Sequence, residues 1–164
     1  MSVAGATVLR CAPMNARTRA AAAELLAAFL AADAHYRDSA ASYGDGGRPA
    51  LERALDLFLA HPRTGFVWLA TTAAGEVVGA CVVCHAISTA RGALVAKLDD
   101  VTIRADWQGR GVGTTLLEGL AAHLRELGVT RIDTSCHRDN EDAWRFYERL
   151  GFRPLHEERL ALLL

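Results

Sequence analysis

The sequence contains little cysteine and little proline, and its charges nearly cancel. Its 4 cysteines, Cys11, Cys81, Cys84 and Cys136, are too few and too scattered for a disulfide scaffold, so we expect free thiols that fill space in the core. A formal net charge of −1 provides no general attraction for nucleic acid or for an anionic membrane surface. These shortages favour a small or peptide-like substrate, and we expect neither nucleic acid nor a membrane as a partner.

Long apolar runs and export signals are also missing. No apolar stretch is long enough to span a bilayer, and the first residues lack a basic start, an apolar run and a small-residue cleavage site. We therefore expect a cytoplasmic protein. A chain of 164 residues can bury a full hydrophobic core, and we expect a single domain over residues 1–164 without internal repeats.

The first part of the chain predicts a strand followed by two helices. Thr7–Cys11 alternates like a strand, and Asn15 is placed to cap an Ala- and Leu-rich helix that runs to about Tyr36. Ser39–Arg48 contains three glycines and no apolar period, which predicts a mobile loop. Pro49 is then well placed to open the second helix.

The remaining elements predict a sheet that alternates with two further helices. Their order, together with the first strand and its two helices, is typical of an α/β sandwich around a mixed sheet. The predicted elements are a hairpin of Phe66–Thr71 and Val77–Ile87, a strand at Leu94–Ile103, a helix ending at Gly128, a strand at Thr130–Cys136, a helix capped by Asn140 and ending at Gly151, and terminal strand material at Phe152–Leu163.

A glycine-rich turn, Gln108–Thr114, joins one of these strands to the next helix. Its three glycines let the main chain approach a ligand where a Cβ atom would collide, and the start of the helix adds partial positive charge. A phosphate or pyrophosphate is the natural ligand, with Arg110 and the Thr114 hydroxyl as side-chain contacts. The alternative is a tight connection whose glycines only relieve steric crowding.

Two common phosphate-binding motifs do not fit this turn. A nucleotide P-loop requires Lys and then Ser or Thr after its last glycine, whereas Thr-Thr-Leu follows Gly113. A dinucleotide G-x-G-x-x-G motif would place Thr114 or Leu116 at its final glycine. The segment instead resembles the Q/R-x-x-G-x-G/A pattern of the GNAT acetyltransferase superfamily, at Gln108, Gly111 and Gly113.

The resemblance to this superfamily extends over about the last seventy residues. Leu98–Ile103 is similar to the strand that precedes the family's turn, and Asn140 through Ala143 to Phe146–Phe152 resembles the N-x-x-A…FYxxLGF signature. The resemblance implies an α/β (α+β) fold, in which a mixed, mostly antiparallel central sheet is flanked by helices on both faces. It also implies an enzyme, an acetyl-CoA-dependent N-acetyltransferase, with acetyl-CoA as cosubstrate.

The resemblance also assigns roles to individual residues. The strand would bind the pantetheine arm, the glycine turn would hold the pyrophosphate, and the following strand would splay away to leave a wedge, which Thr134 and Ser135 are candidates to line. Tyr147 would protonate the leaving thiolate. The implied cofactor-binding residues are Val101, Thr102, Ile103, Gln108, Gly109, Arg110, Gly111, Val112, Gly113, Thr114, Asn140, Ala143 and Tyr147.

Two of these residues also have ordinary structural explanations. Asn140 directly precedes a helix, where an asparagine caps the helix whether or not it binds a ligand. Tyr147 lies on the same predicted helix as Trp144, Phe146 and Leu150, and these side chains would form a core stripe in any protein. Both functional roles therefore rest on the motif match.

Asp99 is the candidate base that would remove a proton from the attacking amine. It matches an acidic position in several amine-acetylating members of the family, and the period of a regular strand places it on the same face as Val101 and Ile103. Asp100 would face the other side unless a bulge intervenes. A salt bridge, a solvated surface position and the orientation of a cationic acceptor are alternatives for either aspartate.

Haem and metal sites are not expected. Cys81-Val82-Val83-Cys84-His85 spells the c-type haem attachment motif, but it lies in an apolar run that predicts a strand, where the two cysteines point to opposite faces. A zinc site would need further ligands at suitable spacing, and the histidines are dispersed.

The sequence leaves the acceptor open. The Leu98-Asp99-Asp100 run favours a small-molecule primary amine of polyamine-like or lysine-like type, and Tyr36, Asp38, Tyr43 and Asp45 fall where the family usually builds its acceptor site. An acyl-CoA-binding regulatory module without turnover is the alternative function. The apolar tail Leu160–Leu164 is either a buried edge strand or an interface, and we expect a possible homodimer.

Overall fold

The computed structural model describes residues 8–164, apart from the side chain of Tyr43. Five strands form one sheet in the order β1-β2-β3-β4-β5, and a short 3-10 helix at Ala105–Trp107 follows β4. The strands are β1 Leu9–Pro13, β2 Gly65–Thr72, β3 Val77–Ser88, β4 Ala93–Ile103 and β5 Ile132–Thr134. The helices are α1 Arg19–Ala32, α2 Ala34–Tyr43, α3 Gly47–Ala60, α4 Val112–Glu126 and α5 Glu141–Arg149. Thr7, which was predicted to begin the first strand, lies outside the described residues.

Helices cover both faces of this sheet. On one face, Phe66 and Trp68 of β2 pack with the apolar stripe of α4, and on the other face Val67 and Leu69 pack with α1 and α3. β2 is therefore buried along nearly its whole length. The first four strands pair antiparallel and β5 pairs parallel to β4, which confirms the predicted mixed, mostly antiparallel sheet between helices.

The predicted loop at Ser39–Arg48 is wrong. α1 ends at Ala32, and the Asp33 carboxylate accepts a hydrogen bond from the main-chain N–H of Tyr36 at 2.7 Å, so a new helix begins there. An aspartate at this position satisfies one of the free N–H groups of a helix start. The glycines interrupt the helix only after Tyr43, where Gly44 has a φ of 87°.

The terminal strand predicted at Phe152–Leu163 is also absent. Residues 152–164 form neither helix nor strand in the structure, and the predicted strand at Thr130–Cys136 is shortened to β5. Pro154 supplies no N–H for pairing, and Arg138 and Glu158 form an exposed ion pair instead, at 3.5 Å. The side chains of the apolar tail, Leu160, Leu162, Leu163 and Leu164, are exposed.

None of the helices in residues 8–164 combines the length and the apolar character needed to cross a bilayer.

Candidate active site

A wedge opens between β4 and β5. The two strands pair from Ala96 with Ile132 to Leu98 with Thr134, and the Thr134 hydroxyl donates a hydrogen bond to the main-chain oxygen of Leu98 at 2.9 Å. Beyond that bond β5 ends, while β4 continues to Ile103 and pairs only with β3. Within the described residues, the edge of β4 that faces away from β3 is therefore unpaired along Asp99–Thr102, as the resemblance implied, and at Ile103 the main-chain oxygen accepts from the Gln108 side chain.

The glycine turn at the start of α4 forms an open cradle of main-chain N–H groups. Gly109 and Gly111 have φ values of 69° and 78°, and a Cβ atom on either would meet nothing within 4 Å. The N–H groups of residues 109–114 make no hydrogen bond within the described part of the chain. Unpaired N–H groups at the start of a 15-residue helix suit an anionic oxygen, so the cradle fits a pyrophosphate.

Three other residues of the turn have structural roles inside the protein. A Cβ atom on Gly113 would lie 3.2 Å from the Phe146 ring, so this glycine lets α4 pack closely against α5. The Gln108 side-chain amide donates to the Ile103 oxygen at 3.1 Å and ties the turn to the end of β4. Arg110 lies 5.3 Å from the centre of the Trp107 ring. Only Gly109 and Gly111 hold the open, left-handed main chain expected of a cradle.

Asn140 caps α5 and keeps donors free. Its side-chain oxygen accepts a hydrogen bond from the Ala143 N–H at 3.1 Å, which confirms the capping role. Its amide N–H groups make no hydrogen bond within the described residues. The same side chain can therefore cap the helix and donate to a ligand.

Tyr147 carries a protonated hydroxyl into this region. Burial raises its pKa to about 12, and the nearby Thr134 hydroxyl partly offsets that rise. The ring packs against Phe146 and Phe152, with ring centres 5.4 and 5.3 Å away. Tyr147 is therefore a neutral phenol at physiological pH, held near the point where β5 leaves β4.

A β-bulge in β4 places Asp99 on the face opposite to the one expected. Ala80 of β3 pairs with Thr102 while Val82 pairs with Asp99, so two residues of β4 lie opposite a single residue of β3. Asp99 consequently shares a face with Val82, on the α1 and α3 side of the sheet. Val101 and Ile103 pack with the α4 side. The prediction that Asp99 and those two residues share a face is therefore wrong.

The environments of the two aspartates differ as well. The Asp99 carboxylate forms a salt bridge with Lys97 at 2.7 Å. Asp100 lies at the bulge with a φ of 50°, a left-handed conformation that is uncommon outside glycine. Burial and the neighbouring Asp99 charge raise the pKa of Asp100 to about 6, with partial compensation from Lys97 and Arg159. Asp100 can thus exchange a proton near neutral pH, whereas Asp99 is held as an ion pair.

Sequence reasoning missed a polar contact between α2 and the turn before α5. The His137 ring nitrogen Nε2 lies 2.8 Å from the Asp38 carboxylate, and the His35 and His137 ring centres are 4.9 Å apart. Asp38 was identified only by its location on the acceptor side. Nothing in the sequence indicated His137, because its partner lies 99 residues away.

The cysteines pack as strand geometry predicts. Cys81 is buried on the α4 side, whereas Cys84 pairs with Lys97, which precedes Asp99 by two residues on the other face. Burial raises the pKa of the Cys81 thiol, which keeps it protonated. Within residues 8–164, no group of three or more His, Cys, Asp or Glu side chains is arranged to hold a metal ion.

Comparison with known proteins places this fold among acetyltransferases. The sequence model of the Acetyltransferase (GNAT) family matches residues 28–152. A possible acetyltransferase from Clostridium difficile 630 superimposes with a TM-score of 0.78 at 11% identity, covering 96% of this chain and 98% of that one. An aminoglycoside acetyltransferase from an uncultured soil metagenomic sample superimposes with a TM-score of 0.68 at 23% identity, covering 96% and 97%. At these identities the superpositions support the fold alone.

Curated relatives are matched over shorter stretches. A mycothiol acetyltransferase of Propionibacterium freudenreichii is 47% identical over 47 residues, which is 29% of this chain and 15% of that protein. The chain spans at most 30% of the length of the curated relatives that it matches.

Proposed function

This chain belongs to the GNAT acetyltransferase family, and from that premise we propose that it transfers an acetyl group from acetyl-CoA to a primary amine of a small molecule. The amine attacks the thioester directly. The observation that carries the proposal is the combination of the open N–H cradle at the start of α4 with the wedge between β4 and β5. These two features lie at the two ends of one continuous strand edge.

The main chain supplies most of the proposed cosubstrate site. The edge of Val101, Thr102 and Ile103, on which only the Ile103 oxygen is bonded within the described residues, to the Gln108 amide, suits the amide groups of a pantetheine arm, which would pair with it as an extra strand does. The Asn140 amide is available as a further donor. The pyrophosphate would take the N–H groups of Gly109, Arg110, Gly111, Val112, Gly113 and Thr114.

Two residues of this chain handle the protons of the proposed reaction, one as donor and one as acceptor. The amine nitrogen bonds to the thioester carbonyl carbon, the C–S bond breaks, and the departing sulfur takes the proton of the Tyr147 hydroxyl. The proton that the amine loses goes to the Asp100 carboxylate, directly or through one water. A carboxylate with a pKa of about 6 is basic enough to accept it and is ionised at the pH of the cell.

Asp99 has a different proposed role from the one expected of it. The ion pair with Lys97 already satisfies the Asp99 carboxylate, so we assign Asp99 the role of orienting the acceptor through its charge. Asp100, half-buried at the bulge, takes the role of base.

The acceptor that these charges favour is cationic. Asp99 and Asp100 lie side by side on β4 at the wedge, and because Lys97 and Arg159 compensate the buried Asp100 only in part, these carboxylates favour a positive group beside them. A polyamine-like or lysine-like amine with a second positive group suits a site with these carboxylates. An aminoglycoside, the substrate named for one structural neighbour, carries similar charges.

An acyl-CoA-binding regulatory module without turnover is the second candidate. The cradle alone supports it equally well. The presence of a protonated Tyr147 and a basic Asp100 at the wedge favours the enzyme, because binding requires neither group.

Calorimetric titration with acetyl-CoA and with CoA tests the proposal. Gly111→Trp should abolish saturable binding, whereas Gly128→Trp should not. Both glycines have a φ of 78° and open space around a Cβ atom, but Gly128 lies at the other end of α4. Wild-type protein that binds neither ligand would refute the cosubstrate site. Binding without acetylation of any amine in a panel of polyamines, lysine derivatives and aminoglycosides would favour the regulatory module.

We also propose a cytoplasmic homodimer. The exposed side chains of Leu160, Leu162, Leu163 and Leu164 suit burial between two copies. Light scattering that reports a monomer at high protein concentration would refute the dimer.

A further inference from the structure

Helix α2 is attached to the body of the protein by few buried apolar side chains. Among its side chains that the structure describes, only Ala40 is buried. Its ring contacts include Tyr36 with Phe29 of α1, at 6.1 Å between centres, and His35 with His137, at 4.9 Å. A helix held this lightly can shift unless a polar contact fixes it.

His137 supplies such a contact from the turn between β5 and α5. The main-chain N–H of Asp139 donates to the Nδ1 atom of His137 at 3.2 Å. A neutral ring that accepts at Nδ1 carries its proton on Nε2. The Nε2–H group therefore donates to the Asp38 carboxylate, 2.8 Å away.

The same residue is tied to the cosubstrate side by its main chain. The carbonyl oxygen of His137 accepts a hydrogen bond from the Asn140 N–H at 3.0 Å. Thr134, three residues before His137, is bonded to Leu98 at the point where the wedge opens. His137 thus lies between the two residues that border the wedge, with its ring turned to α2.

We propose that His137 and Asp38 form a latch that holds α2 against the mouth of the wedge and thereby sets the affinity for the acceptor. This inference rests on the proposed acetyl transfer, because α2 bounds the acceptor side only if the wedge holds acetyl-CoA. Both residues act by positioning α2. His137 is not a second base, since Nδ1 is occupied by the Asp139 N–H and Nε2 already donates its proton to Asp38.

Asp38→Ala removes the latch without changing the turn. We expect the KM for the acceptor to rise about fivefold, the upper range for an exposed pair, because the Asp38 side chain is 73% exposed. The kcat and the dissociation constant of acetyl-CoA should stay within about twofold, because the catalytic groups and the cradle are untouched. Asp139→Ala is the matched control, since that exposed carboxylate makes no ion pair or side-chain hydrogen bond in the described part of the chain. It should leave all three constants unchanged.

Two substitutions of His137 separate the latch from the turn. His137→Gln keeps an N–H donor near the position of Nε2, so it should retain most of the acceptor affinity. His137→Asn keeps an acceptor near the position of Nδ1 but cannot reach α2, so it should behave like Asp38→Ala. In the double variant Asp38→Ala/His137→Asn the two effects should not add. Additive effects, or an equal loss in the Gln and Asn variants, would overturn the latch.

Hydrogen exchange gives a readout that does not depend on activity. Amide exchange in α2 should become about fivefold faster in Asp38→Ala, while exchange in α4 should not change. Unchanged exchange in α2 overturns the latch even if the enzyme is active. A third outcome is faster exchange in α2 of the variant while the wild type binds acetyl-CoA but acetylates no amine. That outcome would support the contact between His137 and Asp38 and refute its proposed link to the acceptor. Calorimetry on the wild type therefore distinguishes failure of the proposed function from failure of the latch.

Discussion

The two sides of the wedge present different chemical groups, main-chain groups on one side and side chains on the other. On the α4 side, the proposed binding surface consists of main-chain N–H groups at Gly109 and Gly111 and of the unpaired edge of β4. On the α2 side, charged side chains set the geometry: Asp38 of α2 pairs with His137 from the turn before α5, and Asp99 of β4 pairs with Lys97 of the same strand. A main-chain surface suits one invariant ligand, whereas side-chain surfaces can differ between proteins that share a fold. This contrast predicts which substitutions change chemistry and which change only acceptor binding.

The largest expected effect lies where the two sides meet, at Tyr147. Tyr147→Phe keeps the ring packing but removes the proton donor, so kcat should fall by about 100-fold, the lower range for a general acid. The dissociation constant of acetyl-CoA should stay within about threefold, because the cradle is unchanged. Steady-state kinetics and calorimetry measure the two quantities. Full retention of kcat would remove Tyr147 from the mechanism.

The two adjacent aspartates give the next largest effect and the sharpest contrast. Asp100→Asn should lower kcat/KM by about 30-fold at pH 8, because it removes the base, whereas Asp99→Asn should lower it less than about fivefold. The ratio of wild-type to Asp100→Asn activity should rise with pH and level off above about 6, the pKa of Asp100. Protonation of the acceptor cancels in this ratio. A larger loss in Asp99→Asn would return the role of base to Asp99.

Stability should respond to the same carboxylate. Because the fold raises the pKa of Asp100 from 3.8 to about 6, the neutral form is favoured in the native state. That contribution to stability is fully present below the unfolded value and is lost as the pH rises through about 6. The free energy of unfolding of Asp100→Asn, relative to wild type, should therefore increase by about 2.5 kcal/mol between pH 4 and pH 7.5. Urea unfolding at the two pH values measures it, and a constant difference would contradict a buried carboxyl.

The smallest expected effect is that of Arg110 in the cradle. This exposed cation adds only long-range attraction to a site made of main-chain groups, so Arg110→Ala should weaken acetyl-CoA binding by about threefold at low salt. The difference should vanish at high salt, where exposed charges are screened. Arg125→Ala, on the last turn of the same helix, is the control. A large, salt-independent loss would show that side chains carry more of the cosubstrate site than the structure indicates.

Sequence reasoning was most accurate for the α4 side. The cradle, the Asn140 cap and the strand before the turn each depend on neighbours within a few residues, so short motifs predicted them. Gly113 is a partial exception. It was predicted to admit a ligand, but the structure shows it packed against Phe146 of α5, more than thirty residues along the chain.

Sequence reasoning was least accurate for the α2 side. Glycines at Ser39–Arg48 suggested a loop, although the Asp33 cap starts a helix ahead of them. The position of Asp99 was inferred from regular strand alternation, and the bulge opposite β3 reversed it. The terminal strand was inferred from apolar residues whose side chains prove to be exposed.

By itself, the sequence determined the order of most elements, the open glycine turn before α4 and the capped helix that carries Tyr147, because helix periods, caps and glycine turns are local properties. Only the tertiary structure decided which aspartate lies at the bulge, where β5 leaves β4, and that His137 reaches Asp38. Each of these depends on strand register or on contacts between distant segments. A shift of one residue in register moves a side chain to the other face of a sheet, and no local pattern reports that shift.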